Sequence, residues 1–103
     1  MSIKFVVAAP AVLLVAGTAF AAAPVSATLQ TPLAAKSRIV AGGAVWTCEG
    51  SSCVAPSAIE RTVSVSACRE LTKVVGAVSA FGNEAKMLDA DSLARCNVGA
   101  RAR

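Results

Sequence analysis

The 103-residue chain has no histidine and no tyrosine, and its aromatics are one tryptophan and three phenylalanines. Without histidine, serine–histidine and cysteine–histidine nucleophile activation are excluded, as are histidine-bearing zinc sites. Acids are also sparse: Glu49, Glu60, Glu70, Glu84, Asp89 and Asp91 are all there are. No two of them are spaced as an acid/base couple. Asp89-Ala90-Asp91 lacks the glycine and distant glutamate of a calcium loop, and reads as charge at the start of a helix. The string Arg38-Ile39-Val40-Ala41-Gly42-Gly43 resembles the activation site of trypsin-like proteases, but the chain is too short for that double barrel and has no base. No catalytic residue, metal ligand or cofactor is assigned, and the chain is expected not to be an enzyme.

One apolar run is present, at the start. Met1-Ser2-Ile3-Lys4 carries a single positive charge, and Phe5 to Phe20 is apolar or small except for the breaks at Pro10, Gly17 and Thr18. It ends in Ala19-Phe20-Ala21, the small-x-small pattern of a signal-peptidase site. Residues 1–21 are therefore read as a cleaved secretory signal, with cuts after Ala23 or Ala27 as alternatives. A membrane anchor is the weaker reading, because the run is alanine-rich, broken by Pro10 and followed by no basic stop-transfer cluster. Nothing beyond Ala23 is long or apolar enough to span a bilayer, which takes about 20 apolar residues. The expected location is the periplasm, or the medium.

After the cut, residues 22–36 contain Pro24, Pro32 and small residues with no periodicity, and are expected to form a flexible arm. Residues 98–103, with Arg101 and Arg103, are expected to be a frayed basic tail. The remaining domain, residues 37–97, is small enough that its core is marginal without a staple. Four cysteines in an oxidising compartment supply one.

Gly42-Gly43 is a two-residue turn signal. Pairing across it sets Ala41 opposite Ala44, Ile39 opposite Trp46 and Ser37 opposite Cys48. The turn Glu49-Gly50-Ser51-Ser52 then sets Cys53 opposite Cys48, within disulfide reach. Cys68 and Cys96 pair by elimination, and each lies on the apolar stripe of its own helix. One helix is capped by Ser66 and runs to about Val75; the other is capped by Asp89 and runs to about Asn97. Val78–Phe81 and Lys86–Leu88 are read as a short hairpin, with Phe81 and Met87 in the core. The expected fold is a small disulfide-stapled α+β domain: three-stranded antiparallel meander, helix, short hairpin, helix.

On this register Ile39, Ala41, Ala44, Trp46, Cys48, Cys53 and Ala55 share the inner face, and Trp46 packs inward. Arg38, Val40, Val45, Thr47 and Val54 share the outer face, the candidate partner surface if the helices cover one side only. The chain's ten basic residues outnumber its six acids, which fits an envelope protein or an anionic envelope polymer as partner. Nucleic acid is not expected, for want of a basic stripe with interleaved aromatics.

The strings Trp46-Thr47-Cys48-Glu49-Gly50-Ser51-Ser52-Cys53-Val54-Ala55-Pro56, Cys68-Arg69-Glu70-Leu71, Gly76-Ala77-Val78-Ser79-Ala80-Phe81 and Leu88-Asp89-Ala90-Asp91-Ser92-Leu93-Ala94-Arg95-Cys96-Asn97 together resemble a family of small, exported, uncharacterised bacterial proteins with this four-cysteine framework. The resemblance spans about Ser37 to Asn97 and implies an envelope location, with no activity or site residues to transfer. The leading expectation is a non-enzymatic binding or structural role in the envelope. The rivals are a secreted inhibitor or toxin-like effector, and a thiol redox or metal-handling protein.

Overall fold

A computed structural model describes residues 24–102; the signal segment read at residues 1–21 lies outside them. Five antiparallel strands form one sheet: β1 (Val25–Leu29), β2 (Ser37–Ala41), β3 (Ala44–Glu49), β4 (Ser52–Ala55) and β5 (Val78–Gly82), in the spatial order β2-β3-β4-β1-β5. Two helices, α1 (Val65–Val75) and α2 (Ala90–Asn97), pack on one side. The fold is α+β with two disulfides, but its sheet is larger than the expected meander.

The β2–β3–β4 part has the register read from the turns. Gly42 and Gly43 both have positive φ, 60° and 74°, the pair that a two-residue hairpin turn demands. Ala41↔Ala44, Ile39↔Trp46, Ser37↔Cys48 and Cys48↔Cys53 are the observed partners.

The expected N-terminal arm is where the structure differs most. Val25–Leu29 is an interior strand, paired with β4 through Ala27↔Cys53 and with β5 through Ala27↔Phe81. Val25, Ala27 and Leu29 are buried while Ser26 and Thr28 are exposed. The strand forms because that alternation supplies one apolar face, which the sheet buries against the helices. Its link to β2 crosses the ends of β4 and β3, held by Leu29 N–H to the Ser51 carbonyl (2.8 Å) and Leu33 N–H to the Gly50 carbonyl (2.9 Å).

The expected hairpin reduces to one bridge, Gly82↔Met87. β5 pairs instead with β1, which offers it a full-length partner, and the segment after Gly82 closes as a tight turn on Asn83. The Asn83 side-chain oxygen accepts from the N–H groups of Ala85 and Lys86. Met87 is consequently half exposed and outside the core, whereas Phe81 is fully buried.

Two smaller corrections concern the ends of α1 and of the chain. Ser64, not Ser66, caps α1: its hydroxyl accepts from the Ala67 N–H at 3.1 Å. That start keeps Cys68, Leu71 and Val75 on the buried stripe and adds Ala67 and Thr72 to it. The C-terminal segment does not fray at Val98, because Ala100 N–H donates to the Asn97 carbonyl and Arg101 N–H to the Thr72 carbonyl.

Trp46 and Phe81 form the centre of the core, both fully buried, with ring centroids 5.5 Å apart. The indole N–H donates to the Ala41 carbonyl at 3.0 Å, which satisfies the one polar atom that burying tryptophan brings inside.

Candidate functional site

Because both helices lie on one side, the opposite side of the sheet is bare of any helix among the described residues. The strand partners arrange its residues in transverse rows. Arg38, Thr47, Val54, Ser26 and Gly82 follow one another across all five strands. Glu49, Ser52, Thr28 and Ala80 form the next row, and Val40 lies beside Val45 on the other side. The five residues of the expected partner surface thus fall on one continuous face. Val40, Val45 and Val54 are 77%, 46% and 37% exposed; Arg38 is exposed and Thr47 half-buried.

Ser26, Thr28 and Ala80 extend this face, and sequence reasoning missed them; Gly82, at the end of its row, is buried beneath Lys86 and Met87. The signal that would have found the first two is the apolar/polar alternation of residues 25–29. The face has an apolar corner of three valines, a centre of small hydroxyls, and one charge of each sign, Arg38 and Glu49. Such short side chains leave it shallow, with open depressions of about 440 Å³ over Thr47, Glu49, Ser52 and Val54 and about 500 Å³ beside Ser26 and Met87, a relief suited to another flat or extended surface.

Under this face, Cys48–Cys53 joins β3 to β4, with Cα atoms 4.0 Å apart. Cys68–Cys96 joins α1 to α2 across 5.6 Å. All four cysteines are fully buried, and among the described residues none is free.

The polar groups on the helix side serve the fold. Gly42 N–H donates to Glu70 Oε1 at 2.8 Å, and Thr62 Oγ1 donates to the Gly42 carbonyl at 3.2 Å, so the β2–β3 turn is tied down onto α1. A shallow cleft of about 830 Å³ lies beside this contact, with Arg61, Ser66 and Lys86 on its walls. Asp89 caps α2 by accepting from Ser92 N–H at 2.8 Å. That bond, more than any other contact, holds its carboxyl below the usual carboxylate range. Arg95 pairs with Asp91 one turn earlier on α2, both well exposed, a geometry that contributes little. Among the described residues no cluster of three or more candidate ligands could hold a metal ion. No helix among them is long and apolar enough to cross a membrane.

The fold and face define a class: a two-layer, disulfide-stapled α+β domain with helices on one side of its sheet and, among the described residues, none on the other. The chain belongs to the family of unknown function DUF8200, whose model matches residues 7–98. No curated protein and no solved structure matches it.

Proposed function

We propose that the chain is exported by its N-terminal segment, loses that segment before Pro24, and acts in the envelope as a non-enzymatic binding or structural module through the bare sheet face. The observation that carries the reading is the one-sided covering of the sheet, which leaves Val40, Val45 and Val54 in solvent above a rigid, cross-linked base. A monomeric domain gains by burying such side chains, at about 25 cal/mol per Å², and their exposure on one face is a partner signal. Two disulfides favour an oxidising compartment. Burial of all four cysteines speaks against thiol exchange, which needs an accessible sulfur.

The interior position of β1 sharpens the cut. Cleavage after Ala21 or Ala23 leaves Val25–Leu29 whole. Cleavage after Ala27 removes Val25, Ser26 and Ala27, the residues opposite Ala55, Val54 and Cys53, and divides β4 from β5. The secreted-inhibitor alternative rests on the Glu49–Ser52 turn, which Cys48–Cys53 braces and whose Gly50 and Ser51 carbonyls are held by Leu33 and Leu29.

The test is expression of the whole chain in an exporting host, with fractionation and intact mass. A periplasmic product beginning at Ala22 or Pro24 is expected. An uncut cytoplasmic chain refutes the export reading, and accumulation in the medium favours the inhibitor. For the face, crosslinking in the envelope with Val45→Glu should lose the captured partner while Trp46 fluorescence stays native. Undiminished capture refutes the role of the face.

A further inference from the structure

The two edges of the sheet are treated differently. At the β5 edge the Asn97 side chain stands in for a neighbouring strand: Val78 N–H donates to its Oδ1 at 2.9 Å, and its Nδ2 donates to the Val78 carbonyl at 2.9 Å. At the other end of β5, Leu88 N–H donates to the Phe81 carbonyl at 2.9 Å, and Met87 bridges Gly82. That edge is closed to another chain.

Among the described residues no hydrogen bond closes the β2 edge in this way. The two-residue turn makes Ala41 and Ala44 a hydrogen-bonded pair, so by alternation Ile39–Trp46 and Ser37–Cys48 are also bonded pairs. Arg38 and Val40 belong to the intervening, non-bonded pairs, and their N–H and C=O groups point away from β3. Those four groups form a regular acceptor and donor array along an exposed strand, the template for strand addition.

We propose that β2 pairs antiparallel with β2 of a second copy, joining two five-stranded sheets into one of ten strands about a two-fold axis at Ile39. The strand is self-complementary in this register and in no neighbouring one. With Ile39 on the axis, Arg38 of each copy faces Val40 of the other, and the two pairs exchange four backbone hydrogen bonds. The two Ile39 side chains, half-buried in the single chain, then meet on the helix side. Moving the axis to Arg38 sets two guanidinium groups opposite one another, which is unfavourable. Moving it to Val40 sets Arg38 against Gly42, whose N–H is already held by Glu70. The pairing leaves the bare face uncovered and makes it continuous across both copies, so it does not depend on the envelope reading.

The experiment is sedimentation equilibrium of the protein, purified as the exporting cell processes it, over a series reaching about millimolar, the affinity range of small interfaces. A reversible monomer–dimer equilibrium is expected. Val40→Pro removes an N–H that the single chain does not use in its ladder; it should weaken the dimer at least tenfold with near-ultraviolet circular dichroism unchanged. In parallel, amide exchange of the unmodified protein should show the Arg38 and Val40 amides slowing at least tenfold as concentration rises. A chain that stays monomeric throughout, or Arg38 and Val40 amides that exchange freely at all concentrations, overturns the proposal. So does a dimer that persists in a folded Val40→Pro variant. Should that variant misfold, the amide exchange decides alone. Absence of any dimer in the unmodified protein, with envelope capture intact, would refute only this pairing.

Discussion

Replacing Cys68 and Cys96 together by alanine should release α2 from the domain. The helix is eight residues long, short of the roughly 12–15 residues at which an isolated helix is even marginal in water. Its one fully buried residue is Cys96. Its other attachments are Leu93 against the core, the Asn97 amide on Val78, and Thr72 Oγ1 donating to the Cys96 carbonyl at 3.2 Å. The bridge joins residues 28 apart, for which the chain-entropy model gives about 3.5 kcal/mol. Cys48–Cys53, separated by 5, gives about 2 kcal/mol on the same model. Against a total of about 5–15 kcal/mol for a typical domain, the long bridge is a large share. Trp46, the chain's single tryptophan and fully buried, reports global unfolding in urea, and amide exchange reports α2 separately. The Cys68→Ala/Cys96→Ala variant should lose about 3–4 kcal/mol, and its α2 and Val78 amides should exchange far faster than those around Trp46. The reasoning fails if Cys48→Ala/Cys53→Ala costs as much or more, or if α2 keeps its native protection in the long-bridge variant.

The two turn glycines should respond unequally. Gly43→Ala meets open space and costs only the left-handed conformation, about 1–2 kcal/mol. Gly42→Ala carries the same backbone cost and also drives its methyl into Ala67 Cβ, 3.1 Å from the Ala67 Cα, adding about 1–3 kcal/mol of overpacking; equal urea midpoints would contradict the turn-on-helix contact. Asp89 gives a pH dependence of known sign. Its carboxylate is stabilised in the fold by the Ser92 N–H, so its contribution is complete above the ordinary aspartate range and is lost as pH falls through the lowered value. A carboxyl-carbon NMR titration should place Asp89 below the ordinary aspartate range, and Asp89→Asn, also a good cap, should keep α2 while removing that part of the acid sensitivity.

What was legible in the chain was what is local. The Gly42-Gly43 turn sets the register of β2 and β3 within a dozen residues, and with it the inner face of Trp46 and the outer face of Val40, Val45 and Thr47. Asp89 announces α2 by the same short-range chemistry. Val25–Leu29 also carried a local signal, its alternation, but five residues flanked by Pro24 and a cleavage pattern do not by themselves say what they pair with. Their partners lie far along the chain, in β4 and β5, and only burial of Val25, Ala27 and Leu29 against the helices selects them. The same holds for Met87. Its apolar character suited a core position, but β1 had already taken the place beside β5, leaving it a single bridge at the rim.

The placement of β1 also ties the sheet's integrity to its N-terminus. β2 is outside both disulfide loops but is held to β3 by a two-residue turn. β1 is outside both loops as well, and is held only by non-local pairing on its two sides. Such contacts carry the larger closure entropy, because the intervening chain must be ordered before they contribute. The meander with Cys48–Cys53 and the helix pair with Cys68–Cys96 can each close without β1, but they become one sheet only when Val25–Leu29 is inserted between β4 and β5. A chain shortened to begin at Thr28 would therefore keep its local staples and the Gly42–Glu70 tie to α1 but lose most of the strand between β4 and β5, exposing their edges and the Trp46–Phe81 contact that spans the two parts.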